Sequence, residues 1–517
     1  MSSSIIWDTR SNYFKYPESV KNIYKKIYYQ NYKKFNLLIN KISKDNMSNI
    51  NWWLNSASSR DERISKIFHY ICLLKTLEKF SKSKIKIKIT LDSIKLQKII
   101  LKKKYENIEI KIVHENTLHE KILFIREFLV FFLYVLASKV FTNKKIFKNQ
   151  KISLIDMFDI NQRNQKKFYF GEYLNNLDKN FMFVPAYTSL RLKNFLKTNN
   201  QKKVIIKEKY IKLIDFIFII KNFFFHNIKI NEKLLKDDFK ILLYEEINSY
   251  KNIRSKIVSY INYLFFKNLK EKKIQIKKII SWHENQIIDK GWSLGVKKYF
   301  PKVDYTGYQG STLHPQFFNL SPTSCEFISG AVPKKIILVG KKYKANRQKF
   351  LKKIKYIIEK KNRFNFEFKK KEKYILFLLT GFEEIDKIMI KISEECEKEF
   401  KNIKIKFHPI YPSKLIRKKF FNEIHGKASK IISSSKIVIT SSYTSGLYES
   451  LAYSINTILL DFSPFDSYLN NDLQKYTDKL SFSSNTNNLL LKLRQINKYK
   501  NFTQKQNNVF KKLFFNK

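Results

Sequence analysis

The most regular pattern of apolar and polar positions in the chain runs from Lys436 to Asp461. The apolar, β-branched residues 437–439 predict a strand, and a loop of hydroxyl residues with one glycine follows them. A helical pattern comes next, and a second apolar run, 457–460, lies about one helix length further along. The stretch therefore predicts a βαβ unit, whose crossover should be right-handed.

The same alternation of strand-like and helix-like segments extends over most of the chain. Predicted strands lie at 84–90, 108–113, 153–158, 181–185, 303–308, 335–339, 374–380 and 404–407, with helical patterns between them. Residues 343–360 are among the segments with a helical pattern. Alternation of this kind is typical of parallel sheets covered by helices. We therefore predict an α/β fold with two Rossmann-like domains that face a cleft.

The prolines indicate where the two domains divide. Three of the nine prolines, Pro315, Pro322 and Pro333, lie in one polar stretch, as is typical of a linker. The predicted organisation is a helical or irregular N-terminal segment at 1–50, a first α/β domain at 51–320 with a helical insert around 212–270, a linker at 321–334, a second α/β domain at 335–470, and an Asn- and Lys-rich helical tail at 471–517.

In the second predicted domain, three strand ends carry candidate binding residues. Ligands of parallel sheets lie beyond the carboxyl ends of the strands, where helix N-termini present free N–H groups to anions. The candidates are Gly381, His408, Pro409, Thr440, Ser441, Ser442, Thr444, Ser445, Gly446 and, one helical turn further, Glu449. Together they suit a nucleotide phosphate, with Glu449 placed to accept hydrogen bonds from ribose hydroxyls. The alternative is that the Ser and Thr side chains only cap the following helix.

The first predicted domain contains two further groups of polar residues. His283, Glu284 and Asn285 follow an apolar run, and Asp156 lies at another strand end, where it is a candidate site residue or a turn former. The segment 56–60, SASSR, could hold an anion, but a loop with a helix cap is the favoured interpretation.

The chain is strongly basic, with a formal net charge of +57 from 101 Lys and Arg against 44 Asp and Glu. The lysines are spread along the whole length, and no Arg-rich block, zinc-finger spacing or RNA-recognition motif accompanies them, so nucleic acid is not the favoured partner. An anionic inner-membrane surface fits the charge better. Three cysteines far apart predict neither a disulfide framework nor a metal cluster.

Two apolar runs, 128–137 and 216–225, are too short to span a bilayer. Buried helices are the favoured interpretation of both, although three consecutive phenylalanines at 223–225 keep a membrane-surface helix open as the alternative. The first ten residues lack the basic and apolar regions of a signal peptide. We therefore expect a cytoplasmic protein that is peripheral on the inner membrane or free.

Residues 404–461, with a His-Pro after one strand and a Ser/Thr-rich turn before a Gly-x-x-Glu helix after the next, resemble the nucleotide-binding half of GT-B glycosyltransferases. The pattern is most similar to bacterial sialyltransferases, polysialyltransferases and Kdo transferases. The stretches WWLNSASSR and WHENQ…GYQG also resemble bacterial surface-carbohydrate biosynthesis proteins of the lipopolysaccharide and capsule type. The acidic-acidic-Gly base motif of those transferases is absent from the sequence, and Glu284 takes its place in this reading.

The resemblance implies transfer of a sugar from a nucleotide sugar to a glycan or glycolipid acceptor. Glu284 or His283 would take the acceptor proton, while His408 and the hydroxyl loop would stabilise the departing phosphate. No metal or other cofactor is expected, since the chain has no Asp-x-Asp motif, Walker A motif or GxGxxG motif. The alternatives are a polyol-phosphate transferase or nucleotide-sugar epimerase of the same shape, and a non-catalytic assembly protein of the same pathway.

Overall fold

The computed structural model describes most of the chain, and the α/β fold with parallel sheets flanked by helices is confirmed. The described residues are 4–62, 64–113, 117–141, 151–157, 170–176, 180–186, 203–231, 237–250, 252–310, 317–360, 364, 366, 374–408, 422–498 and 508–517.

The described strands form three sheets, and every strand pair in them is parallel. The sheets have the orders β1-β2-β3, β5-β4-β6-β7-β8-β9 and β11-β10-β12-β13-β14. The strands are β1 Ser4–Asp8, β2 Lys86–Leu91, β3 Ile108–Ile112, β4 Ile152–Met157, β5 Phe181–Pro185, β6 Ile276–Trp282, β7 Asp304–Gln309, β8 Lys335–Leu338, β9 Lys355–Ile358, β10 Ile375–Leu378, β11 Ile403–Lys406, β12 Ile437–Thr440, β13 Asn456–Leu460 and β14 Leu480–Ser483.

Helices connect and cover these strands, as parallel pairing requires. Numbered along the described residues, the α-helices are α1 Glu18–Lys44, α2 Ile50–Trp53, α3 Ser56–Ser59, α4 Ile67–Phe80, α5 Ile94–Lys102, α6 Thr117–Phe141, α7 Leu213–Phe224, α8 Asp237–Asn248, α9 Ile253–Glu271, α10 Ile287–Tyr299, α11 Ser324–Ser329, α12 Lys341–Phe350, α13 Glu383–Glu397, α14 Ala428–Ser434, α15 Gly446–Ala452, α16 Asp466–Gln474, α17 Thr486–Lys498 and α18 Asn508–Phe514.

The N-terminal segment is part of a sheet, which the prediction of a helical or irregular 1–50 missed. Strand β1 pairs with β2 in register, Trp7 opposite Ile89. Trp7 is fully buried in the same core as Tyr24 of helix α1. A strand of five residues with polar neighbours gives too short an alternation to be recognised in the sequence.

The six-stranded sheet extends beyond the predicted linker. Strand β8 pairs with β7, and β9 pairs with β8, so residues 335–358 complete the sheet of the first half. The boundary placed at 321–334 therefore does not coincide with a boundary between sheets. The helix predicted over 343–360 is also wrong in its second part, because α12 ends at Phe350 and β9 follows.

The five-stranded sheet contains the βαβ unit predicted at 436–461. Strand β12 lies at its centre between β10 and β13, and all four of its residues are buried. The predicted strand, helix and strand of 437–460 are confirmed. The region beyond 470, predicted as a helical tail, also contributes a strand, since β14 pairs with β13.

Helix α1 and the loop before it bridge the first half of the chain and the five-stranded sheet. The ring of Phe14 stacks on that of Phe462, with centroids 5.0 Å apart. The Tyr29 hydroxyl donates to the carbonyl of Pro464 at 2.8 Å. Both partners follow directly after β13, so the N-terminal segment covers the carboxyl end of that strand.

The two apolar helices α6 and α7 are buried on one side only. Phe131, Val135, Phe216 and Ile219 belong to the core of the six-stranded sheet, while other apolar side chains of both helices are exposed. The favoured interpretation of these runs as buried helices is therefore only half correct. Across the parts of the chain that the structure describes, no helix is long and apolar enough to cross a membrane.

Candidate functional site

The hydroxyl-rich loop lies where the sequence pattern placed it, at the carboxyl end of the central strand β12. It leads directly into helix α15, which begins at Gly446. Most of the hydroxyl residues are buried, whereas Ser445 is half-buried. Part of the loop is satisfied locally, because the amide of Tyr443 donates to Ser441 Oγ and that of Gly446 donates to Thr444 Oγ1. The helix-cap alternative therefore accounts for some of these hydroxyls.

Gly446 has a steric reason to be glycine. A Cβ atom at this position would lie 1.8 Å from Cδ2 of Leu378, the last residue of β10. The start of helix α15 therefore passes against the neighbouring strand with no room for a side chain. This contact brings the hydroxyl-rich loop next to the end of β10, where Gly381 lies.

The loop after β10 already contains its own carboxylate. Asp386, in the first turn of α13, accepts hydrogen bonds from the amides of Thr380 and Gly381 at 2.8 and 2.9 Å. Gly381 adopts a φ of +86°, a backbone conformation that side chains other than glycine rarely adopt. Gly381, which was predicted to bind the nucleotide-sugar donor, thus has its amide directed toward Asp386.

Two other strand-to-helix loops are built in the same way. Asp289 accepts from the amides of Glu284 and Gln286 after β6, and Asp466 accepts from the amides of Phe462 and Ser463 after β13. Burial raises the pKa of Asp289 and of Asp466 well above the ordinary value, even though these hydrogen bonds act to lower it. In each loop, an internal carboxylate holds the position that an anionic ligand would take.

The hydroxyl-rich loop differs from these three. In the part of the chain that the structure describes, none of its backbone amides donates to a carboxylate. The carboxylate of its own helix, Glu449, accepts from the Ser445 hydroxyl at 3.0 Å instead. Among these four described loops, this is the one in which no carboxylate accepts from a backbone amide, although Asp466 hydrogen-bonds to the Ser442 side chain, so it is the best candidate to receive a phosphate.

An acidic pair that no sequence pattern indicated lies beside this loop. Asp466 lies beside Ser442, and Asp461 follows β13 directly. Burial raises the pKa of Asp461 to about 7, against the opposing charges of Lys21 and Lys25 on helix α1. Asp461 was visible in the sequence as the end of an apolar run, but its burial depends on α1, which no local pattern brings there.

His408 lies two residues beyond β11 and is half-buried. Strand β10 is flanked by β11 and β12, so the ends that carry His408, Gly381 and the hydroxyl-rich loop are at one edge of the sheet. The predicted donor residue Pro409 lies outside the described residues.

In the first half of the chain, the neighbouring residues His283 and Glu284 have different surroundings. His283 is fully buried, and neither ring nitrogen has a hydrogen-bond partner. A Cβ atom on Gly307 of the adjacent strand would lie 3.0 Å from His283 Cγ. Burial lowers the pKa of His283 to about 3. The imidazole is therefore neutral and closed off from an acceptor, so the prediction that His283 could act as the base is not supported.

Glu284 has a more suitable setting. Its side chain is half-buried at the end of β6 and accepts hydrogen bonds from Trp282 Nε1 at 3.1 Å and from Gln286 Nε2 at 3.2 Å. These donors hold the carboxylate in one orientation while part of it reaches the surface. Such a group can accept a proton from an acceptor hydroxyl.

A short segment connects the ends of β6 and β12. Asn319 donates to the Glu284 carbonyl at 2.8 Å, and two residues earlier the ring of Phe317 lies 6.0 Å from that of Tyr443 in the hydroxyl-rich loop. Tyr443 also contacts Phe382 after β10, at 5.5 Å. Both candidate clusters therefore border the same segment, although they belong to different sheets.

Beneath this segment lies a buried ionic network that the sequence analysis did not assign. Glu326 accepts from Arg60 at 2.8 Å and pairs with Lys290 at 2.9 Å, and all three side chains are inaccessible to solvent. The two cations hold the pKa of Glu326 at about 2 against the opposing effect of burial. Arg60 thus binds an internal carboxylate, whereas residues 56–59 form the short helix α3 and not the predicted loop.

Among the described residues, no group of three or more His, Cys, Asp and Glu side chains could hold a metal ion. The expectation of a reaction without a metal stays a prediction.

No protein-family model matches this chain, and no curated protein matches it either. Among solved structures, the wall teichoic acid polymerase TagF is similar over 77% of this chain and 91% of that chain, with 12% sequence identity and a TM-score of 0.33.

Proposed function

We propose that the protein is a glycosyltransferase, which transfers a sugar from a nucleotide sugar to a lipid-linked or polysaccharide acceptor of the bacterial surface. The single observation that supports this most is the hydroxyl-rich loop at the end of β12. Its amides meet no internal carboxylate in the described structure, whereas those of three comparable loops do. A phosphate is bound largely through backbone amides, and an internal carboxylate that accepts from those amides would occupy the place of the ligand.

In this proposal the two candidate clusters have different roles. The hydroxyl-rich loop and His408 would hold the nucleotide phosphate and stabilise its charge as the bond to the sugar breaks. Glu284, oriented by Trp282 and Gln286, would take the proton of the acceptor hydroxyl as that oxygen attacks. The proposal needs no metal ion.

The experiment is a thermal-shift and calorimetric screen of the purified protein with nucleoside mono- and diphosphates, followed by nucleotide sugars. We expect one nucleotide to stabilise the wild type. The double variant Ser442→Ala/Ser445→Ala should bind it roughly tenfold more weakly or worse, since it loses two hydroxyls that would turn from Asp466 and Glu449 to donate to the phosphate.

A matched control lies at the other end of the same strand. Ser433 and Ser434 in α14 donate to the Lys430 carbonyl just before β12, so Ser433→Ala/Ser434→Ala removes two hydroxyls away from the site. This variant should bind as the wild type does. Equal losses in both double variants, or no nucleotide binding by the wild type, would contradict the proposed donor site.

Glu284→Gln separates catalysis from binding. It should lower the transfer rate by roughly 10²-fold or more while donor binding is unchanged. Release of free nucleotide with transfer of sugar would support the glycosyltransferase, whereas transfer of a polyol phosphate or epimerisation of the donor would support the alternative enzymes. A protein that binds no donor would fit a non-catalytic assembly role.

A further inference from the structure

Helix α7 presents its apolar side to solvent. Leu213, Ile214, Ile217, Ile220 and Phe224 are exposed at helical spacing, and Ile217 has 60% of its surface accessible. The opposite side contains Phe216 and Ile219, which are buried in the core. A helix that only covers a sheet would place polar residues on its outer side, so the outer side of α7 is not adapted to water.

Helix α6 continues the same surface. Ile122, Ile125, Leu129, Leu133 and Val140 are exposed at helical spacing, with Leu133 at 61%. Phe128 of α6 packs edge-on against Phe216 of α7 at 5.3 Å, so the helices lie side by side. Phe224, itself exposed, contacts Phe124 at 5.3 Å and joins the two exposed stripes. We call this surface the α6–α7 face.

The charges around the α6–α7 face are mainly basic, and the exposed acid at its edge, Glu271 of α9, is paired with Lys212. In residues 203–231, both acidic side chains, Glu208 and Asp215, are buried. The exposed charged residues of this stretch are Lys203, Lys212, Lys221 and Lys229. On α6, Arg126 and Lys139 are exposed, and the buried Glu127 is paired with Arg126. An apolar surface with a cationic rim is complementary to a bilayer with anionic head groups, and less so to a protein surface of the same basic chain.

We infer that the α6–α7 face is a membrane-binding surface that lies in the interface of an anionic bilayer with both helices parallel to the membrane plane. Helix α7 is about 18 Å long, which is too short to span but suits an in-plane helix. The exposed aliphatic and phenylalanine side chains would enter the acyl boundary, and the lysines would contact lipid phosphates. This inference does not rest on the proposed transferase activity.

The first experiment is co-sedimentation with phosphatidylethanolamine vesicles that contain phosphatidylglycerol, compared with phosphatidylcholine vesicles. The wild type should bind the anionic vesicles more tightly. Leu129→Asn/Ile217→Asn should weaken binding roughly tenfold or more, since two inserted side chains become polar. The matched control is Leu37→Asn/Leu491→Asn, which changes two leucines that are as exposed but lie on other helices.

The control variant should bind vesicles as the wild type does. The inference would be overturned if the wild type did not bind the anionic vesicles. It would also be overturned if Leu129→Asn/Ile217→Asn, the face variant, bound them as tightly as the control variant. A dimer in solution that the face variant abolishes would overturn it as well, because a second copy would then cover the face.

A second measurement does not rely on weakened binding. The three native cysteines are buried, so an environment-sensitive fluorophore can be placed on Ile217→Cys or, as control, on Leu491→Cys. Emission from position 217 should shift to the blue with anionic vesicles, and emission from position 491 should not. Equal shifts at the two positions would overturn the inference, and because neither experiment measures nucleotide binding or transfer, its failure leaves the proposed function standing.

Discussion

Asp156 is a carboxyl group whose burial makes stability depend on pH. Its side chain is buried near the end of β4, and Oδ1 has no hydrogen-bond partner. Burial raises the pKa of Asp156 to about 7, although Lys207 opposes the shift. The folded state thus binds this proton more tightly than the unfolded state does. Stability from this group is present below about pH 4 and is lost as the pH rises through about 7.

We therefore predict that Asp156→Asn removes part of the alkaline loss of stability. Raising the pKa of Asp156 from 3.8 to about 7 corresponds to about 4 kcal/mol of folding stability. The wild type has lost this contribution once the pH is above about 7. Urea unfolding near pH 5 and near pH 8 measures the change, and the variant should gain stability relative to the wild type at the higher pH. The exposed Asp304→Asn is the control, which should follow the wild type at both pH values. Parallel curves for the wild type and Asp156→Asn would show that another group is responsible.

At the residue scale, the sequence located strand ends well but could not show which side chains reach the surface. His283 and Glu284 are neighbours in the same motif, yet one is sealed and the other is half-buried. The difference comes from Gly307 on the adjacent strand, which leaves space for the imidazole. Contacts across parallel strands are far apart in sequence, so no local pattern contains them.

At the element scale, the aspartates in the first turns of α10, α13 and α16 fix three strand-to-helix loops. We predict that Asp386→Ala lowers the free energy of unfolding by about 1–2 kcal/mol, because the amides of Thr380 and Gly381 lose their acceptor. Hydrogen exchange of these two amides should become faster. Glu384→Ala, an exposed change in the same helical turn, should leave their exchange unchanged. Unaltered exchange in Asp386→Ala would show that the carboxylate does not hold the loop.

Strands whose residues are all buried and nearly all apolar were predictable, whereas strands of the same length that mix polar and apolar residues were not. Strands β10 and β12 have fully buried residues and stand out in the sequence. Strand β9, with the sequence KYII, follows a basic helix closely and was assigned to that helix. Strand β14 mixes serine with apolar residues and is an edge strand, where burial selects the composition only weakly.

At the scale of the whole molecule, the ionic network around Glu326 joins three separate parts of the chain. Arg60 follows α3, Lys290 lies in α10, and Glu326 lies in α11. Removing the carboxylate leaves two buried cations without their counter-charge. We predict that Glu326→Gln lowers the free energy of unfolding by about 3–5 kcal/mol, measured by urea unfolding followed by circular dichroism.

The exposed pair of Arg10 and Asp8 serves as the comparison for this change. Asp8→Asn should cost less than about 1 kcal/mol, because both side chains are well solvated. If the two substitutions cost the same, the network around Glu326 would not be a structural centre. The sequence offered no signal for this network, since its members are up to 266 positions apart.

Local sequence patterns likewise could not predict which sheet each strand joins. The apolar runs of β8 and β10 are alike in length and composition, but β8 completes the first large sheet and β10 belongs to the other. The polar stretch before β8 is a reasonable domain boundary by composition. Pairing with β7 overrides it, because the partner strand is chosen by packing over long sequence distances.

The position of helix α1 over the end of β13 has a consequence for folding during synthesis of the chain. Tyr29 is made early, yet its acceptor at Pro464 is synthesised 435 residues later. At ribosomal rates of about 5–20 residues per second, the two are separated by roughly 20 to 90 seconds. Until then, the tyrosine-rich side of α1 lacks its native contacts with 462–465. This side of the helix is therefore exposed to chaperones that bind the nascent chain.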